Sequence, residues 1–285
     1  MRFAKAYVEI TNVCNRSCSF CPKTRRPGSF MTEAAFTTVL DRLRGWTEYL
    51  YFHLMGEPLL HPELDRFLEL AGERGFRVIL TTNGTLPDRM RELLLPAPAL
   101  HKVNLSLQSF EGNAGGDIEN YVNRLTDFAA EAAARGILVN FRLWNLDGAE
   151  TTGQNRENDR ILELLAEAFP KPWQPSRGGE RLADRVYLSW GETFRWPDLR
   201  SEAVNDRHFC YGLKDQIGVL CDGTLVPCCL DHEGDLPLGN LLQEDLQTVL
   251  DRPRTRAMLE GFRRGEAVEE LCKSCGYANR FRSTS

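Results

Sequence analysis

Nine cysteines are the residues of this 285-residue sequence best suited to chemistry, and they fall into two groups. Cys14, Cys18 and Cys21 stand in the stretch TNVCNRSCSFCPK, a C-x3-C-x2-C spacing. Cys210, Cys221, Cys228, Cys229, Cys272 and Cys275 all lie in the last third. Three thiolates in one short loop can converge on a soft metal centre, yet they are one short of the four that a closed zinc site or a fully ligated cubane needs. The first group therefore implies a centre with an open coordination position. The second has thiols enough for a separate, closed site.

The composition sets the context for that chemistry. With 42% hydrophobic and 26% charged residues the chain can bury a large core without disulfide staples. The first residues, MRFAKAYVEI, lack a secretory apolar core, and no apolar run is long enough for a bilayer, so a cytoplasmic location with no membrane partner is expected. Thiols stay reduced in that compartment, which favours metal or redox roles over disulfides. A net charge of −5 argues against a general nucleic-acid or membrane-surface binder. The basic cluster from Lys23 to Arg26 is read as a solvated loop.

The elements that must position the cysteines alternate in type. AYVEI reads as a strand entering the first loop, and the segment from Thr32 as a capped helix. EYLYFHL, RVILTTNG, LHKVNLSLQSF, ILVNFRLWNL and DRVYLSW read as further strands. HPELDRFLELAGERG, stopped by Gly75, then IENYVNRLTDFAAEAAARG and NDRILELLAEAF have the helical period. Such alternation predicts parallel βαβ units with ligands at the C-terminal strand ends, and six units suit a partial rather than a closed barrel. The polar segment Asp147–Glu157 is expected to be a surface loop. After Arg207 the pattern changes to a hairpin turning at Asp222-Gly223 and a helical tail. The expected fold is thus α/β, a partial (β/α)6 barrel over 1–206 followed by a small α+β domain over 207–285.

CNRSCSFC, with Phe20 before the third cysteine, resembles the signature loop of the radical S-adenosylmethionine superfamily. Further motifs carry the resemblance over about two-thirds of the chain. In MGEPLLHPEL, Gly56, Glu57 and Pro58 match the family's Gly-Gly-Glu-Pro turn, which contacts the amino group of S-adenosylmethionine, while Met55 replaces the first glycine. TTNGT matches a Thr-Asn-Gly turn. Ser106 and Gln108 sit where family members contact the ribose, and Arg142 is placed to pair with the methionine carboxylate or with substrate. Read individually, Gly56-Glu57-Pro58 and Asn83-Gly84 would be ordinary turns, and three cysteines with a distant fourth could form a zinc knuckle.

The second group resembles the shortened auxiliary-cluster domain called twitch, related to the larger SPASM domain. On that resemblance Cys210, Cys228, Cys272 and Cys275 hold a second [4Fe-4S] cluster. Cys221 and Cys229 are left over, too few for another cubane, and Cys229 should point away from Cys228 if the strand is regular. A structural zinc at this site is the alternative, since zinc also accepts four thiolates. Asp231 and His232 follow the paired cysteines as surface polar residues or proton carriers, and Trp144 and Trp190 as pocket or core.

The resemblance implies an oxidoreductase with two clusters, one binding S-adenosylmethionine and one auxiliary. It would cleave the cofactor reductively to a 5′-deoxyadenosyl radical and abstract a hydrogen atom from substrate. A flavodoxin- or ferredoxin-like one-electron reductant is the implied partner. The layout is similar to family dehydrogenases that oxidise a cyclitol alcohol, which suggests a two-electron oxidation of a small molecule. A maturase acting on a peptide or protein side chain is the alternative enzyme; an iron-sulfur electron carrier or zinc-stabilised binding module is the non-enzyme reading.

Overall fold

A computed structural model of the chain describes residues 2–111, 116–148, 155–204 and 206–281. Its elements begin β1 (Lys5–Val8), α1 (Glu33–Leu43), β2 (Tyr49–Phe52), α2 (Leu64–Glu73), β3 (Arg77–Thr82), α3 (Pro87–Leu94), β4 (Leu100–Ser106), α4 (Ile118–Ala134), β5 (Leu138–Leu146) and α5 (Asn158–Ala168). They continue with β6 (Gln174–Ser176), β7 (Gly179–Ala183), β8 (Val186–Glu192), β9 (Gln216–Val219), β10 (Thr224–Val226), β11 (Gly239–Asn240), α6 (Leu246–Leu250), α7 (Pro253–Arg264) and α8 (Glu270–Lys273).

One sheet holds all the strands, in the order β11-β10-β9-β1-β2-β3-β4-β5-β8-β7-β6. β1, β2, β3, β4, β5 and β8 are mutually parallel neighbours, which is the expected set of six. The β6–β7 hairpin, which sequence periodicity had not revealed, extends the sheet antiparallel beyond β8. At the other edge β9 pairs parallel with β1, so the C-terminal hairpin joins the same sheet as the barrel strands. The boundary expected at 206/207 falls in the connection between β8 and β9.

Strand alternation gives this sheet two unlike faces. Ala6, Val8, Leu50, Phe52, Val78, Leu80, Val103, Leu105, Val139 and Phe141 are buried in the core with apolar residues of the helices. Phe36 of α1 lies at its centre, stacked on Phe67 at 4.2 Å and edge-on to Phe52 at 5.6 Å. The intervening positions are polar: Lys5, Tyr7, Tyr51, Lys102, Asn104, Asn140, Arg142 and Ser189. Arg142 on β5 and Tyr7 on β1 perturb each other's ionisation. In a flat sheet, four strand spacings would hold them about 19 Å apart. Such coupling across four strands fits parallel strands that curl around the polar face, as in a partial barrel.

Local expectations were met unevenly. Thr32 caps α1, its hydroxyl accepting from Ala35 N at 3.2 Å, and Gly75 follows α2 with φ 78°. The strand expected through Phe110 instead stops at Ser106, and Leu107–Ser109 close a 3-10 turn in which Phe110 N donates to Leu107 O at 3.0 Å. Helix α3 had been overlooked although Pro87 stands at its start and Met90 and Leu94 share its buried face. The loop expected over 147–157 lies partly outside the described residues. Truncating Phe36 to Ala should cost about 3–5 kcal/mol, measured as the shift in a denaturant unfolding curve of the protein purified without air.

Candidate functional site

The cysteine loop hangs from the end of β1 on a set of short hydrogen bonds. Asn12 accepts from Ser29 N through Oδ1 at 2.7 Å and donates from Nδ2 to Pro27 O at 2.9 Å. The Thr11 hydroxyl donates to Ser29 O at 2.9 Å and accepts from Val13 N at 3.0 Å. Within the loop, Cys21 N donates to Cys18 O at 3.2 Å. Cys14 is exposed, Cys18 buried and Cys21 half-buried, and partial burial pushes the Cys14 and Cys21 thiols up. A cationic iron centre reverses that balance by favouring the thiolate.

The turn after β2 supports this loop from beneath. Gly56 has φ 78°, and a Cβ added there would lie 2.4 Å from Thr11 O and 2.9 Å from Asn12 Cα. Only glycine permits so close an approach to the base of the loop. The next residue fixes the contact, with Glu57 N donating to Val13 O at 2.8 Å. Met55, where the motif departs from its pattern, is buried.

The Glu57 side chain has a structural task in addition to the expected one. Its carboxylate accepts from Leu59 N at 3.1 Å, capping the short 3-10 turn begun by Pro58, and from Asn83 N at 2.7 Å. It thereby ties the turn after β2 to the turn after β3. Burial pushes its pKa up to about 7, against the opposing pull of these hydrogen bonds. Asn83 carries the link onward: its Nδ2 donates to Asn15 Oδ1 at 2.9 Å and lies 3.9 Å from Cys14 Sγ.

Further round the mouth, Ser106 ends β4 opposite Arg142. Gln108 is buried, and its Oε1 has no hydrogen-bond partner. Glu111 Oε2 is a second orphaned acceptor, while its other oxygen accepts from Arg156 N at 3.1 Å. Buried acceptors without donors are rare, so this pair suits hydroxyl donors such as those of a ribose. Glu111 could not have been singled out from sequence, since no periodicity or spacing marks it. Phe20 is half-buried, and its carbonyl accepts from Trp196 Nε1 at 3.2 Å.

At the second site Cys210, Cys228, Cys272 and Cys275 line one largely apolar cavity of about 50 Å³, together with Tyr211 and Tyr277. The four thiols surround a volume; among the described residues no three Cys, His, Asp or Glu side chains converge as ligands of a single ion. Burial pushes the Cys210 thiol up to about 11 and also raises those of Cys228 and Cys272. Gly212 N donates to Cys210 Sγ at 3.2 Å. The remaining cysteines differ. Cys221 is a buried thiol donating to Glu9 O at 3.1 Å, beside the pair in which Arg26 grips both Glu9 oxygens at 2.8 and 2.7 Å. Cys229 packs with Tyr7, Tyr51 and Leu54. The alternation argument for Cys229 does not apply, because β10 ends at Val226 and both cysteines of the pair lie in the following turn.

Asp231 and His232 are buried rather than on the surface. Asp231 accepts from Asp235 N at 2.8 Å and Leu236 N at 2.9 Å, closing the turn beside the cavity, and burial pushes its pKa up to about 6. Trp144 stands on the polar face under Arg142, whose guanidinium lies 4.3 Å from the ring centroid, whereas Trp190 packs against the core.

Two family models match the chain, the radical SAM superfamily over residues 8–144 and an iron-sulfur cluster-binding domain over residues 210–276. The chain is a radical SAM enzyme with a C-terminal iron-sulfur domain of the SPASM type, and S-adenosylmethionine and one [4Fe-4S] cluster in each domain are its cofactors. It is 34% identical to the S-adenosyl-L-methionine-dependent 2-deoxy-scyllo-inosamine dehydrogenase of Niallia circulans, over 96% of this chain and 92% of that one. It is 25% identical to the GTP 3′,8-cyclase of Microcystis aeruginosa, over 89% of each. The fold matches the crystal structure of BtrN in complex with AdoMet and 2-DOIA with a TM-score of 0.62 at 19% identity, over 96% of this chain and 93% of that one. It also matches anSMEcpe with bound AdoMet at 0.64 and 15% identity, over 99% and 88%. No described helix is long and apolar enough to cross a membrane.

Replacing Gly56 by Ala should displace the base of the cysteine loop, so that anaerobically reconstituted protein loses about four of about eight irons while the auxiliary iron is retained. Iron analysis alongside Mössbauer spectra checks this. Full iron content in Gly56→Ala would show that the loop tolerates the displacement.

Proposed function

We propose that the protein removes two hydrogens from a small hydroxylated molecule, oxidising an alcohol to a carbonyl. The observation that carries this reading is the four-thiol cavity formed by Cys210, Cys228, Cys272 and Cys275, with Tyr277 in its lining. A site with four thiolates suits electron transfer rather than binding of a second S-adenosylmethionine. The identity with a dehydrogenase over nearly the whole of both chains supports the same class of reaction.

In this reading Cys14, Cys18 and Cys21 hold the open cluster, and the turn of Gly56, Glu57 and Pro58 receives the cofactor's amino group, principally through backbone carbonyls because Glu57 already serves two N–H donors. Ser106 and Gln108, with Glu111, receive the ribose, and Phe20, within the cysteine loop, lies against the bound cofactor. When bound, these cofactors supply a hydrogen-abstracting radical and an acceptor for the second electron. The chain's own residues orient the substrate, shield it from water and hold its hydroxyl. Nine reduced cysteines suit a cytoplasmic setting, with a flavodoxin or ferredoxin as one-electron reductant.

Methionine and 5′-deoxyadenosine should form in equal amounts with a product two hydrogens lighter than substrate. Ala variants of Cys210, Cys228, Cys272 or Cys275 should still cleave the cofactor yet fail to release that product. An isomer of unchanged mass would point to rearrangement, and a new sulfur-carbon bond would favour a peptide maturase. Replacing Cys14, Cys18 and Cys21 together should leave about four irons per chain. Zinc in their place after anaerobic purification would return the second site to a structural role.

A further inference from the structure

The inner face of the barrel carries an unbalanced charge. Lys5 on β1, Lys102 on β4 and Arg142 on β5 occupy alternate positions on this face, and none makes an ion pair among the described residues. Arg142 Nε is buried with no hydrogen-bond partner, and the guanidinium carbon lies 4.3 Å from the centroid of the Trp144 ring. Lys5 Nζ sits 5.6 Å from the ring centroids of both Tyr7 and Tyr51, and these rings lie 5.1 Å apart. His53 adjoins Tyr7, with ring centroids at 5.9 Å.

Two acids near this face are committed elsewhere. Glu9, two residues beyond Tyr7, is gripped by Arg26, and Glu57 serves two backbone N–H groups. The cations meanwhile act on one another: burial and then Arg142 lower Lys102 to about 8, and burial, Arg142 and Lys5 lower His53 to about 3. Lys5, Lys102 and Arg142 are half-buried, and cations drawn partly out of water without a counter-charge are costly to keep unless something bound neutralises them.

Adjoining the cations is a hydrogen-bonded polar wall. Asn104 Nδ2 donates to Thr81 Oγ1 at 3.3 Å, and Asn140 Nδ2 donates to Ser189 Oγ at 3.0 Å and reaches Asn104 Oδ1 at 3.4 Å. Trp144 Nε1 also donates to Ser189 Oγ, at 3.3 Å. A cationic pocket beside such a wall matches a molecule with both an anionic group and hydroxyls.

We propose that the substrate of this chamber is anionic, a hydroxylated carboxylate or phosphate ester whose charge is held by Lys5, Lys102 and Arg142. This rests on the reading of the protein as an enzyme acting on a small hydroxylated molecule. The cofactor's own carboxylate does not account for Lys102, whereas Arg142 stands opposite Ser106 at the mouth. Lys102 lies four residues before Ser106 on β4, about 13 Å below the mouth at strand rise, and the groups acting on Arg142 include Cys229 and Tyr277 of the auxiliary segment. The assignment separates this chain from its dehydrogenase relative, whose named substrate is an amine.

Equilibrium binding to the anaerobic holoenzyme with S-adenosylmethionine, by calorimetry, tests the assignment with four probes: D-gluconate, D-glucose 6-phosphate, myo-inositol and 2-deoxy-scyllo-inosamine. At least one anion should bind about tenfold or more tighter than myo-inositol, as charge-assisted hydrogen bonds imply. The two anions distinguish a carboxylate from a phosphate subsite. The margin should disappear in Arg142→Gln and shrink in Lys102→Gln, while Lys102→Arg keeps it. Failure of both anions to exceed myo-inositol, or tighter binding of the amine, overturns the proposal even if a variant does not assemble. A loss of cofactor affinity in Arg142→Gln with the anion margin intact would assign Arg142 to the cofactor and likewise overturn it. None of these readouts needs turnover, so an absence of 5′-deoxyadenosine would defeat the dehydrogenase reading alone.

Discussion

The Glu57 carboxylate holds together the parts that make the mouth of this barrel a site. It is almost fully buried, and each oxygen accepts a backbone N–H from a different turn, one after β2 and one after β3. Through Asn83 the second turn reaches the side chains of Cys14 and Asn15, and through Gly56 the first presses on Thr11 and Asn12. Three connections that would otherwise move independently share one anchor. Preorganisation of this kind matters for a cofactor whose reacting atoms must be held to fractions of an ångström.

The two faces of the sheet divide the labour. On the helix side, close-packed aliphatic and aromatic side chains supply the stability, with Phe52 and Phe67 both against Phe36. On the inner side polar and cationic groups are kept in place by neighbours that leave them short of partners. Such groups weaken the isolated fold, and their retention is the signature of a surface shaped for a ligand.

Much of the architecture was legible because the hydrophobic period is strong. All six parallel strands and four of the five helices α1 to α5 could be placed from alternation alone, and Asp222-Gly223 marked the C-terminal hairpin that β9 and β10 form. The β6–β7 hairpin was not legible, since Gln174–Ser176 is fully exposed and carries no apolar pattern. The cysteine sets were visible from spacing, but the shared cavity of Cys210, Cys228, Cys272 and Cys275 needed the fold to bring distant segments together. Glu57 was recognised by its motif, whereas its bridging role depends on a contact 26 positions away in the chain. The cationic face was invisible in a sum: the chain is acidic overall, and Lys5, Lys102 and Arg142 are scattered among three strands.

The pairing of β9 with β1 has a consequence for how the molecule is made. Lys5 to Val8 are synthesised roughly two hundred residues ahead of Gln216–Val219, one of their two neighbouring strands. Until then the strand that carries the cysteine loop is an open edge, with a row of backbone groups free to pair with another chain. The buried knot of Glu9, Arg26 and Cys221 also forms only when this late segment arrives. Completion of the sheet thus closes a long-range contact of the kind that folds slowly. Nascent chains carry this vulnerable edge until Gln216–Val219 emerges, the same interval in which Cys14, Cys18 and Cys21 become available to iron.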